Sequence, residues 1–175
     1  YIKQNLRYLK KQDKIKVIEL GASLGAISSL YTLDSLYKYE LTDKVKLTLL
    51  DICREPLWRT KKLDFDIESL YKNADFSIPS EKLKKHLSGA TIIEGNILET
   101  EQTDNQYTIS LSAFTHHHLN IYDKRLACME LERITAENGA IIVGDLTFSY
   151  QKFVRWLKKH RTEYNSQAKR VSYAI

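Results

Sequence analysis

The stretch Lys16-Val17-Ile18-Glu19-Leu20-Gly21-Ala22-Ser23-Leu24-Gly25-Ala26-Ile27 constrains this chain more than any other. It opens as a short apolar run rich in β-branched residues, the pattern of a strand buried on both faces. Two glycines four apart come next, with only small or apolar residues between them. A helical period then begins, with Ile27, Leu30, Leu33 and Tyr37 spaced 3, 3 and 4 apart. Strand, glycine turn, helix is the layout of a nucleotide-type cofactor site. Glycine lets the backbone turn sharply and lets a ligand approach without a Cβ in the way. The helix N-terminus offers free N–H groups and a positive dipole end.

Asp51 is the second acid of the pattern. It ends Val45-Lys46-Leu47-Thr48-Leu49-Leu50, which reads as the next strand. An acid at that tip is placed to accept hydrogen bonds from two ribose hydroxyls. Gly21-Ala22-Ser23-Leu24-Gly25-Ala26 is not the G-x-G-x-x-G of a dinucleotide fold, and no Lys-Ser/Thr comes after it as in a P-loop.

Glu19-Leu20-Gly21-Ala22-Ser23-Leu24-Gly25 resembles motif I (E/D-x-G-x-G-x-G) of class I S-adenosylmethionine-dependent methyltransferases. Ser23 stands where that motif has its middle glycine, a substitution that sits easily only at negative φ. The resemblance covers roughly residues 15 to 147. Gly95-Asn96-Ile97-Leu98-Glu99, after the third strand at residues 90–94, is similar to the family's G-D/N-x-x-E segment. A fourth strand, residues 107–112, leads into Ala113-Phe114-Thr115-His116-His117-His118-Leu119, which resembles the S-A-L-x-x-H-H-L stretch of small-molecule members. His117 and His118 match its two histidines. Asn138-Gly139, then an apolar fifth strand over residues 139–146 with Asp145 at its carboxyl end, fits the same family.

The resemblance implies an α/β, Rossmann-like fold: a mostly parallel sheet in the order 3-2-1-4-5 with helices on both faces. It implies S-adenosyl-L-methionine as cofactor and a methyltransferase that acts on a small-molecule acceptor, mainly by positioning. Glu19, Gly21, Ala22, Ser23 and Gly25 would line the methionine end, and Asp51 with Ile52 the ribose. Asn96 and Ile97 would take the adenine, with Ala113 and Phe114 on the methyl side. His117 or His118 is the candidate general base, because a neutral imidazole suits proton removal near pH 7. A histidine here could equally cap or pack against the next helix. Metal ligation is disfavoured, since consecutive residues splay apart and no acid or cysteine partner sits nearby in sequence. Asp145 could orient substrate or a histidine, or be an ordinary strand-end turn acid.

Between these motifs the chain is mostly helical in pattern. Residues 2–12 form a helix with Ile2, Leu6 and Leu9 on one stripe. The first strand's helix runs to about Glu40. Residues 54–79 form an insertion whose Trp58, Phe65, Tyr71 and Phe76 either shape a substrate pocket or pad a satellite core. Ser80 caps a helix through Leu87. Tyr122 to Glu137 forms a helix with Leu126, Met129, Leu131 and Ile134 on its buried side, closed by Asn138-Gly139. A last helix starts near Tyr150, with Phe153, Trp156, Leu157 and His160 on one side and Arg155, Lys158, Lys159 and Arg161 on the other. Residues 162–175 are too short and polar for the family's two closing strands. The chain therefore reads as one methyltransferase-like domain over 1–175, truncated at its C-terminus.

The net charge of +5 suits either a nucleic-acid binder or a Lys-rich solvated surface, and the scattered lysines favour the latter. An RNA or protein methyltransferase, or an inactive methyltransferase fold serving as a binding subunit, are the alternatives; no Asn/Asp-Pro-Pro-Tyr/Phe comes after the fourth strand. Two distant cysteines, Cys53 and Cys128, form no disulfide framework or metal motif, and no run of 18 apolar residues spans a membrane. A cytoplasmic location fits both observations.

Overall fold

The computed structural model describes residues 2–145, with Lys72 and Asn73 described by their backbone alone. Its centre is the first apolar run. β1 (Ile15–Leu20) has β2 (Val45–Asp51) on one side and β4 (Tyr107–Ala113) on the other. β3 (Thr91–Glu94) and β5 (Thr135–Gly144) complete a five-stranded sheet in the order β3-β2-β1-β4-β5. Every strand pairing is parallel, so all five carboxyl ends lie along one edge. The expected order is the observed one.

Both faces of the inner strands are covered, which is why they read as continuous apolar runs. Ile15 and Val17 of β1 belong to one core cluster, and Ile18 and Leu20 to the other, as the two-residue period of a strand requires. The first cluster takes Leu9 from α1 (Leu6–Lys11), Leu30, Leu33 and Leu36 from α2 (Ile27–Tyr37), Leu57 from α3 (Arg54–Lys61), and Leu83 and Leu87 from α5 (Ser80–Ser88). Ile67 of α4 (Ile67–Ala74) joins it. The second cluster takes Ala127, Leu131 and Ile134 from α6 (Ile121–Ile134). No described helix is long and apolar enough to cross a membrane.

Several local expectations are corrected. Residues 2–5 are turns, so the first helix begins only at Leu6. α2 ends at Tyr37, three residues early, and Glu40 sits at φ +60° in the turn beyond it. Ser80 is the first residue of α5 rather than its cap; Pro79 holds the cap position and its carbonyl accepts from Lys82 and Leu83. α6 starts at Ile121, capped by Asn120, whose Oδ1 accepts from the N–H groups of Tyr122 and Asp123 at 2.9 Å each. Its buried side is Ala127, Glu130, Leu131 and Ile134, whereas Leu126 and Met129 are about half exposed.

Asn138-Gly139 does not close α6. The helix ends at Ile134 and β5 begins at once, with Thr135 opposite Tyr107. The next paired residue is Ala140, opposite Ile109, so residues 136–139 bulge out of the ladder. A glycine signal is shared by helix ends and bulges, which explains the difference. Residues from 146 onward, and with them the helix expected near Tyr150, lie outside the described residues.

Candidate functional site

The loop after β1 is held from three sides. The N–H groups of Gly21 and Ala22 both donate to the Leu50 carbonyl, at 2.8 and 3.0 Å, which ties the loop to the end of β2. The Ser23 N–H donates to Asp51 Oδ2 at 2.9 Å. The Gly25 N–H donates to the buried Thr60 Oγ1 at 2.8 Å, and the Thr60 hydroxyl donates on to the Ser23 carbonyl at 3.4 Å. Thr60 lies on α3, so residues expected to form an insertion supply a support of the glycine loop. Its long sequence separation from Gly25 gave no local signal.

Gly21 and Gly25 have φ of +71° and +92°, where a side chain would be strained. A Cβ at Gly21 would also collide with the Thr115 side chain. Ser23 sits at φ +49°, outside the negative range in which that substitution sits easily: a serine holds the left-handed geometry of the missing glycine.

Glu19 serves the loop from behind. It is 2% exposed, and its Oε2 accepts from the Ser29 N–H at 2.9 Å and the Ser29 hydroxyl at 2.5 Å. The α2 cap residue, Ala26, has no side-chain oxygen, and Glu19 accepts the first-turn N–H in its place. Burial pushes the Glu19 carboxyl up, and the bonds from Ser29 and Ser28 pull it back down. The helix N-terminus expected to face a ligand is thus partly satisfied from within.

Asp51 uses one oxygen for Ser23 and the other for the Cys53 N–H, at 2.9 Å each. Each carboxylate oxygen has a second lone-pair site. Asn96 closes a turn, its Oδ1 accepting from the Leu98 N–H at 3.0 Å, and among the described residues no protein group takes its amide donors. Both side chains line a cleft of about 370 Å³ at the carboxyl edge of the sheet, within the size range of ligand pockets. Gly21, Ser23, Ile52, Ile97, Phe114 and His118 line it too, with Thr115 and Leu119, for which the sequence carried no separate signal. A smaller hollow of about 230 Å³ lies on the other side of the loop, against Glu19, Ala22, Leu24, Ile27, Ala113 and Phe114. Gly25 reaches neither; it is buried beneath Phe65 and Thr60.

The aromatic residues of 54–79 stay out of the cleft. Phe76 is buried and packs at 5.0 Å from Tyr31 and 6.0 Å from Tyr71, and Phe65 and Tyr71 pack on the first core cluster. Padding of the core is therefore the observed role of Phe65, Tyr71 and Phe76, whereas Trp58 is 38% exposed, with Arg54 and Lys62 over its ring.

The three histidines form a 3-10 turn with different fates. His116 is 6% exposed, with Nε2 lacking a partner among the described residues, and burial pushes its pKa down. His117 places Nδ1 2.8 Å from Asp145 Oδ1. His118 lines the cleft, its ring 3.9 Å from that of His117.

No family model matches the chain, and no curated protein matches it in sequence. Solved structures do. The DszA carbon methyltransferase superposes with a TM-score of 0.53 at 16% identity, over 84% of this chain and 32% of that one. A candidate methyltransferase from Bacillus halodurans C-125 gives 0.53 at 12% identity, over 91% of this chain and 58% of that one. A candidate O-methyltransferase from Nostoc punctiforme PCC 73102 gives 0.50 at 17% identity, over 79% and 35%. The chain thus spans between about a third and three fifths of these structures. At such identities the likeness establishes the fold: the Rossmann-like sheet found in methyltransferases of this class.

Proposed function

We propose that the cleft at the carboxyl edge binds S-adenosyl-L-methionine and that the chain transfers its methyl group to a small-molecule acceptor. The observation that carries this reading is Asp51. Its carboxylate organises the glycine loop through Ser23 and still has lone pairs for a ribose diol, in one cleft with the open amide donors of Asn96. A carboxylate for two hydroxyls, an amide for a purine edge and apolar Ile52 and Ile97 for the ring match the chemistry of an adenosine. The same residues therefore fit the cofactor.

When bound, S-adenosylmethionine supplies a methyl carbon already activated by a sulfonium, so catalysis asks the protein mainly for alignment. Gly21, Ser23 and the hollow beside Ala22 and Ala113 would hold the amino-acid end. Phe114 and Thr115 would border the acceptor. His117 or His118 would remove a proton from an acceptor that needs to lose one.

Calorimetric titration of S-adenosylmethionine into the protein, with Asp51→Ala and Asn96→Ala alongside, tests the reading. Micromolar binding to the parent, weakened at least about tenfold in Asp51→Ala as expected for loss of a charged hydrogen-bonding group, is the predicted result. A folded protein that binds neither S-adenosylmethionine nor S-adenosylhomocysteine would overturn it and leave the inactive binding subunit as the better account.

A further inference from the structure

A second concave site lies at the amino edge of the sheet, away from the cleft. β3 joins β2 only at Thr48, which pairs with Thr91, so residues 45–47 of β2 have no strand on their outer side. There Lys46 of β2 and Lys82, Lys85 and His86 of α5 border one hollow of about 310 Å³, at the lower end of the range for ligand pockets. Asp43 is the acid on its wall, and it is committed: its carboxylate lies 3.0 Å from Lys82 Nζ.

The neighbouring lysines are committed as well. Lys44 donates to the carbonyls of Lys10 and Gln12 at 2.8 and 2.9 Å, Lys61 donates to that of Ala90 at 2.9 Å, and Lys84 lies 2.7 Å from Glu68. Lys46 and Lys85 make no ion pair among the described residues. Two ammonium groups without an anion of their own therefore meet in one hollow with the half-buried His86. Burial pushes the His86 pKa down, and Lys82, Lys85 and Lys46 push the same way against Asp43. Its ring is thus neutral at pH 7.

Simpler readings cover only part of this. Cations in the last turn of a helix offset its dipole, which suits Lys85 and His86 of α5 but not Lys46. A lysine guards an open strand edge, which suits Lys46 but not a half-buried histidine. An anion in the hollow accounts for all three.

We infer that this hollow binds a phosphoryl group, as inorganic phosphate or as the end of a small phosphate monoester. Such a group carries about two negative charges at pH 7 and offers acceptor oxygens only. Lys46, Lys85 and a protonated His86 supply donors and no acceptor. A bound dianion favours the charged ring, so His86 takes up a proton as the ligand arrives. No covalent bond forms or breaks. The hollow shares no lining residue with the cleft, so it stands whether or not the cleft holds S-adenosylmethionine.

Amide and histidine-ring spectra of the full chain test this, with inorganic phosphate titrated in at an ionic strength held with sodium chloride. Saturable shifts should appear at residues 45–48 and 82–91 with a Kd of about 1 mM, while residues 21–25, 51–53 and 96–98 stay unmoved. The His86 titration midpoint should rise when phosphate saturates. Lys46→Gln and Lys85→Gln should each weaken phosphate binding about threefold to fivefold, as for a part-exposed ion pair, and together should abolish saturation. Lys62→Gln, which removes an equal charge at the end of α3, should leave the affinity unchanged, and each amide spectrum reports that its variant is folded. Glycerol 3-phosphate should bind at least as tightly as inorganic phosphate. The same shifts with sodium chloride alone, shifts that never saturate, or a response unchanged in the double variant would overturn the inference. So would an oligouridylate that binds these residues more tightly than glycerol 3-phosphate, which would assign the hollow to a nucleic-acid backbone.

Discussion

Ser23 shows how much one residue can carry at this site. Its backbone takes the left-handed conformation of a glycine, and its N–H is the link to Asp51. A β-carbon there costs strain that a glycine avoids. Ser23→Gly should therefore raise stability by up to about 1 kcal/mol in urea unfolding and leave cofactor affinity unchanged or better, the entropy gained by the unfolded chain offsetting part of the relief. Thr60→Val keeps the shape but strands the buried Gly25 N–H, so it should cost about 1–3 kcal/mol of stability and loosen S-adenosylmethionine binding by roughly tenfold. A third residue sets an acid limb. Arg133 foremost, with Thr100, holds the Glu130 carboxyl down to about 2, against the usual 4.5. An acid depressed on folding adds stability that is complete above its unfolded pKa and lost as pH falls towards the folded one. Glu130→Gln should lose on the order of 2 kcal/mol at pH 7, allowing for the part-exposed Arg133, and should flatten the decline in stability between about pH 4.5 and 2. The loop glycines, Asp51 and Asn96 were readable because each stands at a strand end in a known pattern. Thr60 was not, because a support reached across 35 residues leaves no local trace.

At the scale of elements, the junction of α6 and β5 is closely packed. The Thr135 hydroxyl lies 2.7 Å from Ser110 Oγ and 2.5 Å from the Leu131 carbonyl, so the strand starts where the helix stops. The bulge beyond it brings Gly139 against its neighbours. A Cβ there would lie 2.7 Å from Thr135 Cγ2, 2.8 Å from the Ala136 carbonyl oxygen and 2.9 Å from that of Thr108. Two of those atoms are backbone and cannot rotate away. Gly139→Ala should therefore cost about 1–3 kcal/mol, visible as a lower urea midpoint, and more than Gly95→Ala, whose nearest neighbour is a leucine methyl at 3.4 Å. Strand identity was legible because buried apolar runs mark it directly, and strand order was legible only through the resemblance. Helix ends and faces were less so: apolar period alone placed Leu126 and Met129 inside, whereas α6 turns Ala127, Leu131 and Ile134 to the sheet. The period fits both stripes, and only packing against β4 and β5 decides between them.

Across the molecule, the parallel sheet separates two chemically different ends. At the carboxyl edge, Asp51, Asn96 and the histidine turn converge on the cleft from three separate strand ends. At the opposite end, Lys46, Lys82, Lys85 and His86 border a hollow of about 310 Å³ where β2 runs on past the start of β3. Lysines beside an open strand edge guard against edge-to-edge pairing, which accounts for part of the positive charge. The central claim is that the cleft, and not this basic hollow, takes an adenosine. Amide chemical-shift mapping with S-adenosylhomocysteine tests it most directly. The account predicts shifts at residues 21–25, 51–53, 96–98 and 113–115, with residues 45–48 and 82–89 unmoved. Shifts confined to the basic hollow, or none at saturating nucleoside, would contradict it.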